Sequence, residues 1–210
     1  MKNYNGKLIT FEGSEGSGKS TQIDLLCRYL KKKKKNVLFL REPGGVEISE
    51  KIREILLDAK NKGMSLECEI LLYMAARAQL VEEVIEPALR QGKIILCDRF
   101  LDSTLAYQGY GCGGDIRFIK QLGVHITRGI QPDLTFVFDI EAAEGLSRIH
   151  RAKDRIEQRS LSYHNRVRQG YLKLAKSEPH RIKVIKVNGG KEEIYKIVQK
   201  HVNKLLRIKS

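Results

Sequence analysis

Short apolar runs alternate along the chain with stretches in which apolar residues recur every three or four positions. The short runs are rich in Leu, Ile, Val and Phe and each ends at a polar or glycine-containing segment, a pattern typical of parallel strands that are buried on both faces. Helical spacing between the runs predicts helices. The alternation predicts an α/β fold with a five-stranded parallel sheet and helices on both faces, in a single domain spanning residues 1–210. The predicted strands lie around residues 8–11 and at 36–40, 93–97, 134–138 and 182–187, and the predicted helices at about 23–30 and at 48–57, 66–89, 103–108, 116–127, 142–151, 163–176 and 193–206.

The segment from Gly13 to Ser20 follows the first predicted strand and fits the pattern G-x-x-x-x-G-K-[ST] at every fixed position. In this pattern glycines bring backbone N–H groups against a polyphosphate, and the next helix directs its positive end to the same anion. Lys19 can reach the β- and γ-phosphates, and the Ser20 hydroxyl can ligate an accompanying magnesium ion. We therefore predict a phosphate loop at residues 13–20. A glycine-rich turn that matches by chance is the alternative.

Polar pairs follow two further strands, Arg41-Glu42 after the second and Asp98-Arg99 after the third. The carboxyl ends of parallel strands are where open α/β sheets bind ligands. We predict that Asp98 holds magnesium or its waters and that Arg99 binds a phosphate bidentately, through two of its guanidinium nitrogens. For Arg41-Glu42 an ordinary loop is an equal alternative.

Two helices carry polar groups on one face. Tyr73 and Arg77 are four residues apart, so their side chains project together. Packing and a surface charge are the alternative explanation for this pair. The second face, for which a solvent-facing surface is the alternative, contains Ser103, Thr104, Tyr107 and Gln108, and residues 109–114 are predicted to end its helix.

Arginines recur late in the chain at Arg148, Arg151, Arg155 and Arg159. If this segment is helical when closed, separations of three, four and four residues place all four guanidiniums on one side. There they repel one another unless an anion, or carboxylates such as Asp154 and Glu157, lies between them. We predict that residues 148–159 form a lid, called the lid segment below, that closes over a polyphosphate. A solvated basic helix is the alternative.

The formal charge of +14 raises the question of whether the protein binds an anionic partner. Much of the excess is lysine, including residues 31–35, where the dipole of the first helix favours cations. No aromatic residues are interleaved with these lysines, which favours a solvated helix end over a nucleic-acid arm. The sequence contains no apolar run long enough to cross a bilayer, so we expect neither a membrane anchor nor a signal peptide.

Four cysteines, at positions 27, 68, 97 and 112, are widely spaced without a C-x-x-C pair. This spacing favours reduced, mostly buried thiols in a cytoplasmic protein over disulfides or zinc. The histidines are scattered and show no metal-ligand spacing either.

The assembled motifs resemble those of the nucleoside monophosphate kinases, and within them the thymidylate kinases of the bacterial kind. The resemblance covers nearly the whole chain, and the block at 98–109 is its most specific part. The matching segments are F-E-G-x-x-G-x-G-K-S-T-Q at 11–22, R-E-P-G-G at 41–45, L-L-Y-x-A-x-R at 71–77, D-R-x-x-x-S-T-x-A-Y-Q-G at 98–109, P-D-L-T at 132–135 and D-R-I-E at 154–157.

The resemblance implies transfer of the γ-phosphoryl of ATP, as a magnesium complex, to dTMP in a cytoplasmic homodimer. It assigns ATP binding to Gly13, Ser14, Glu15, Gly16, Ser17, Gly18, Lys19, Ser20, Thr21 and Arg148. It assigns dTMP binding to Glu15, Glu42, Pro43, Tyr73, Arg77, Arg99, Ser103, Thr104, Tyr107 and Gln108, with Tyr73 stacked on thymine and Tyr107 crowding the 2′ position. The implied catalytic residues are Lys19, Arg99, Arg151 and Arg155, and the implied metal ligands are Ser20 and Asp98.

Some relatives place an arginine after the acidic residue of the phosphate loop, where this chain has Gly16. The cation for the transferring phosphoryl then comes from the lid segment, and the sequence leaves open which arginine is essential. Another small-molecule kinase of the same fold remains an alternative. A nucleotide-dependent switch and a nucleic-acid-binding protein also remain, although the Asn-Lys-x-Asp motif of guanine-selective switches is absent.

Overall fold

The computed structural model describes residues 4–208 and contains one five-stranded sheet. The strands are β1 (Lys7–Gly13), β2 (Val37–Arg41), β3 (Ile94–Asp98), β4 (Leu134–Asp139) and β5 (Ile182–Lys186). All pair in parallel in the order β2-β3-β1-β4-β5. The predicted fold class and all five predicted strands are confirmed, with ends that differ by one residue or a few.

Helices cover both faces of this sheet. They are α1 (Lys19–Lys32), α2 (Glu47–Leu57), α3 (Leu66–Leu80), α4 (Glu86–Arg90), α5 (Leu101–Thr104), α6 (Ile116–Ile126), α7 (Ala142–Ser147), α8 (Leu161–Ser177) and α9 (Lys191–Leu206). A π-helical segment, Val81–Ile85, joins α3 to α4, and a second, Leu105–Gly111, continues α5.

Alternate residues of each central strand enter opposite cores. In β1, Ile9 and Phe11 pack with α1 and α9, whereas Leu8 packs with the helical stretch after α3. The Phe11 ring stacks on Phe138 of β4 at 6.1 Å. Burial on both faces explains why these strands are continuous apolar runs.

Two helix predictions need correction. The helix predicted at 142–151 ends at Ser147. The helix predicted at 103–108 was expected to end in the glycine-containing stretch at 109–114. It extends further, because Gly109 and Gly111 belong to the second π-helical segment. A Cβ on Gly111 would lie 2.7 Å from the Tyr163 ring, so this glycine permits close packing of α8.

The distribution of charge and thiols follows the sequence only in part. Lys31–Lys35 are exposed at the end of α1, as expected for a solvated helix end. All four cysteines are free, but the expectation of mostly buried thiols is wrong, since Cys97 is buried, Cys27 and Cys112 are half-buried and Cys68 is exposed. Within residues 4–208, every helix is too short or too polar to cross a membrane.

Candidate active site

The phosphate loop lies between the carboxyl end of β1 and the first turn of α1. Gly13, Gly16 and Gly18 have φ angles of 130°, 67° and 81°, in the left-handed region that favours glycine. The Lys19 ammonium folds back over the loop and donates to the carbonyl of Ser14 at 2.9 Å and to that of Gly13 at 3.1 Å. Burial, together with the nearby Arg99 guanidinium, lowers the pKa of Lys19 to about 8. The loop therefore presents one buried amine to an anion.

Gly16 is required by a close backbone contact. A Cβ on Gly16 would lie 2.1 Å from the carbonyl oxygen of Gly145 in α7, and a Cβ on Gly145 would lie 2.3 Å from the carbonyl oxygen of Glu15. Neither oxygen belongs to a flexible side chain, so any larger residue at either position would displace the backbone. The phosphate loop is thus packed directly against the helix that precedes the lid segment.

Arg99 follows β3 and bridges the phosphate loop to the rest of the site. Its guanidinium donates to Glu15 at 2.6 Å and to the Gly13 carbonyl at 3.1 Å, and lies 4.9 Å from the centre of the Tyr107 ring. Tyr107 also donates to Glu15, at 2.8 Å. Burial alone would raise the pKa of Glu15, but Arg99 and Lys19 hold it at about 2. Arg99 has a φ of 72°, a conformation that clusters at functional sites.

A second group of predicted residues, on α3, α5 and the second π-helical segment, forms what we call the base end of the site. Arg77 is 2% exposed and donates from Nε to Glu42 at 2.8 Å, a partner that the sequence did not predict. The Thr104 hydroxyl, in the lining of the same cleft, is buried and makes no hydrogen bond within residues 4–208. The Gln108 amide donates to Glu69 of α3 at 2.8 Å.

One cleft of about 530 Å³ joins the phosphate loop to the base end. Of the predicted site residues, all but three line it. The exceptions are Gly13, Ser14 and Arg155. The sequence thus predicted most of the lining of a single cleft.

Asp98 and Ser20, the predicted metal ligands, both line this cleft. The Asp98 Oδ1 atom is buried and has no hydrogen-bond partner among the described residues, so it is available to a cation or its waters. Residues 4–208 contain no cluster of three or more histidine, cysteine or acidic side chains that could hold a metal by themselves. A carboxylate and a hydroxyl fit a hard cation that keeps waters and phosphate oxygens as its other ligands.

The lid segment differs from the predicted arrangement, since it is irregular after Ser147 and its guanidiniums do not share one side. Arg148 reaches the carbonyl of Gly16 at 3.2 Å, and Arg151 pairs with Glu157 at 2.6 Å. Arg155 is buried against Glu69 at 2.6 Å and so lies outside the cleft.

Two local causes explain the absence of a helix there. The Asp154 carboxylate accepts hydrogen bonds from the backbone N–H groups of Ile156 and Glu157, a local pattern that competes with helix formation. Carboxylates also neutralise the arginines, since Arg151 pairs with Glu157 while Arg155 and Arg159 share Glu69, which relieves the repulsion between the guanidiniums.

Several residues of the site were not found from the sequence. Arg53 of α2 lines the cleft and donates to the Pro43 carbonyl at 2.8 Å. Glu12 of β1 accepts from Ser103 and from Tyr171, and burial raises its pKa to about 7. Arg53 lies on a helix with an ordinary apolar stripe, and Glu12 lies within a buried strand. Neither local pattern indicates a site residue. Only the tertiary structure shows that these two residues belong to the site.

Comparison with known proteins identifies the family. The family model described as thymidylate kinase matches residues 11–198. The thymidylate kinase of Symbiobacterium thermophilum is 46% identical over 199 residues, covering 94% of this chain and 93% of the relative. That of Syntrophotalea carbinolica is 49% identical over 194 residues, covering 89% and 90%.

A solved structure agrees with this assignment. The crystal structure of thymidylate kinase from Ehrlichia chaffeensis has a TM-score of 0.77 and 37% sequence identity, covering 94% of this chain and 98% of that chain. The matched residues 11–198 contain the phosphate loop, the base end and the lid segment. With this cleft, this fold and these relatives, the chain belongs to the thymidylate kinase family.

Proposed function

We propose that this enzyme transfers the γ-phosphoryl of ATP to the 5′-phosphate of dTMP, which yields ADP and dTDP for dTTP synthesis. The observation that carries the proposal is the shared cleft. It has the phosphate loop with Lys19 at one end, Tyr73 and Arg77 at the other, and Arg99 between them. A donor polyphosphate and an acceptor nucleotide bound in this order meet at Arg99.

Catalysis in this cleft consists of positioning and charge neutralisation. The phosphate of dTMP is an anion at neutral pH, so no strong general base is needed. Lys19 and Arg99 bind the transferring group and the acceptor phosphate. Arg53 is a third cation for the acceptor phosphate, because it lines the cleft beside Pro43.

Arg151 is the lid arginine we assign to the transferring phosphoryl. Its side chain is 65% exposed and lines the cleft, so it needs only to exchange Glu157 for phosphate oxygens. Arg155 would first have to leave the buried Glu69. Arg148, which contacts the phosphate loop at Gly16, is assigned to the adenine side of ATP.

The metal ion is proposed to be Mg²⁺, held by Ser20 and by Asp98 directly or through its waters. When bound, it would supply positive charge that neutralises the negative charge developing on the transferring phosphoryl. The buried, unpartnered Asp98 oxygen supports this assignment.

The base end selects the acceptor. Tyr73 stacks on thymine, while Arg77 and Thr104 bind its edge, and the free Thr104 hydroxyl supports this role. Tyr107 excludes a 2′-hydroxyl, and its bond to Glu15 at 2.8 Å fixes the ring near the sugar.

We also propose that the chain is a single domain that forms a homodimer in the cytoplasm. Large apolar side chains are exposed on neighbouring helices, Leu71 on α3 and Phe118 on α6, at 54% and 49%. The free cysteines are consistent with a reducing compartment. Sedimentation velocity tests the dimer, and a monomer at all concentrations up to the micromolar range would contradict it.

The experiment that tests the activity is ADP release from magnesium-ATP with dTMP, dUMP, UMP, AMP and thymidine offered separately. We expect turnover with dTMP well above all the others. Strong turnover with a different acceptor would overturn the assigned base end, and none with any acceptor would overturn the kinase activity.

A further inference from the structure

Glu69 lies on α3, one helical turn before Tyr73, and is 1% exposed. It does not line the cleft, but three side chains converge on it, one from the cleft lining and two from the lid segment outside the cleft. Its Oε1 accepts from the Gln108 amide at 2.8 Å. Its Oε2 pairs with Arg155 and with Arg159, each at 2.6 Å. This carboxylate is therefore the common support of the base end and the lid segment.

The chemistry of Glu69 fixes the orientation of the Gln108 amide. An ionised carboxylate between two guanidiniums only accepts hydrogen bonds. The amide must therefore turn its NH₂ group toward Glu69, since the opposite orientation would place two acceptors together. Because Gln108 lines the cleft, its carbonyl oxygen is the polar group that remains for a bound base.

At the base end, two buried carboxylates each hold one side chain that lines the cleft. Glu42 is 6% exposed and holds Arg77, a pure donor. Glu69 holds the NH₂ group of Gln108, whose carbonyl oxygen accepts no hydrogen bond from residues 4–208. A donor and an acceptor fixed at neighbouring positions match the O4 atom and the N3–H group of thymine or uracil. Cytosine presents the opposite pattern, an amino group at C4 and a lone pair at N3.

We propose that Glu69 is a positioning residue for base selection, which orients Gln108 to accept a ring N3–H and to reject a base that lacks one. This inference rests on the proposed function and concerns the same base end. Glu69 itself touches no substrate. Its effect is on discrimination between acceptors, because the unpaired polar groups left by the wrong base are what cost binding.

The test compares kcat/KM for dTMP with kcat/KM for 5-methyl-dCMP, which differs from dTMP only at N3 and C4. Glu69→Gln keeps the shape of the side chain but can donate as well as accept, so Gln108 loses its fixed orientation. We expect the dTMP/5-methyl-dCMP ratio to fall by at least about tenfold. The matched control is Arg159→Leu, which removes one partner of Glu69 but keeps its contact with Gln108, and we expect it to retain the wild-type ratio.

A double-mutant cycle separates orientation from general damage to the pocket. In a Gln108→Met background the amide is gone, and Glu69→Gln should change the ratio no further. The inference is overturned by an unchanged ratio in folded Glu69→Gln, by an equal fall in Arg159→Leu, or by an equal further fall in the Gln108→Met background.

The wild-type protein provides a test that does not depend on the folding of the variant. The side-chain NH₂ protons of Gln108, followed by ¹⁵N NMR, should exchange slowly with solvent when bonded to buried Glu69. Exchange at the rate of a free amide would also overturn the inference. Wild-type protein without dTMP turnover would overturn the proposed function instead, so the two failures are distinguishable.

Discussion

The base end and the lid segment both present guanidiniums to the same cleft, but they hold them differently. The side chains of Arg77 and its partner Glu42 are 2% and 4% exposed, so this pair is buried as a unit. The side chain of Arg151 is 65% exposed, whereas that of its partner Glu157 is 2% exposed. The first arginine has a fixed geometry set by the core, and the second can exchange its partner at the surface. Recognition is thus assigned to a rigid region and phosphoryl contact to an adaptable one.

The largest effect should come from breaking the rigid pair. Glu42→Ala leaves the buried Arg77 guanidinium without its carboxylate, and we expect a loss of about 3–5 kcal/mol in the free energy of unfolding. Urea denaturation measures it. Glu47→Ala, which removes an exposed ion pair with Lys51, is the control and should cost less than about 1 kcal/mol. Equal losses in both variants would contradict the contrast between buried and exposed pairs.

The next largest effect should be on catalysis, and it should come from the phosphate loop. Lys19→Ala removes one preorganised donor to the transferring phosphoryl, and we expect kcat to fall by at least ~10² with folding intact. Steady-state ADP release, together with a thermal melt, is the measurement. A near-normal kcat in the folded variant would refute this role of Lys19.

Substitutions of two lid arginines should have different effects, one on kcat and the other on thermal stability. Arg151→Ala is expected to lower kcat by roughly 10-fold to 100-fold with little change in thermal stability, because the side chain is exposed and lines the cleft. Arg155→Ala should destabilise the fold more, since it removes a buried partner of Glu69. The reverse pattern would show that the lid segment rearranges so that Arg155 replaces Arg151.

Tyr107 should govern the choice of sugar. Tyr107→Ala is expected to narrow the preference for dTMP over ribothymidine 5′-phosphate by roughly tenfold, because it removes the ring that crowds the 2′ position. Tyr107→Phe keeps the ring and loses only the bond to Glu15, so it should retain the preference. Unchanged ratios of kcat/KM in Tyr107→Ala would rule out the steric account.

The smallest effect expected is a pH dependence of ATP capture. Burial lowers the pKa of Lys19 to about 8, so rising pH removes the cation from the free enzyme. Between pH 7 and pH 8.5 the protonated fraction, and with it kcat/KM for ATP, should fall about fourfold. In Lys19→Arg this decline should be absent. A wild-type profile that stays flat through this range would contradict it.

Rising pH should affect stability in the opposite direction, because it removes a destabilising contribution of Lys19. Its pKa in the folded protein lies below the ordinary value of 10.5, so the protonated form is destabilised by folding. That cost is fully present below about pH 8 and declines as the pH rises from there towards 10.5.

The sequence predicted what depends on local pattern and on strand ends. The phosphate loop, Asp98 and Arg99 were found because each follows an apolar run whose carboxyl end must lie at one edge of the sheet. Their chemical roles remain predictions until they are measured.

Partners that are distant in sequence were not predictable in the same way. Glu69 and Gln108 are 39 residues apart, and no pattern in either segment indicates that they meet. The lid segment illustrates the opposite error. Its arginine spacing suggested a helix in the closed state, whereas Asp154, Glu157 and the shared Glu69 stabilise an irregular path in this structure.

The contact between Gly16 and Gly145 also limits how this enzyme can evolve. An arginine at position 16, as in some relatives, requires the backbone around Gly145 to move first, since even a Cβ would lie 2.1 Å from its carbonyl oxygen. Until that helix moves, the substitution would disrupt the phosphate loop before the new cation could contribute. Moving the proposed catalytic arginine from the lid segment to the phosphate loop therefore requires more than a single substitution.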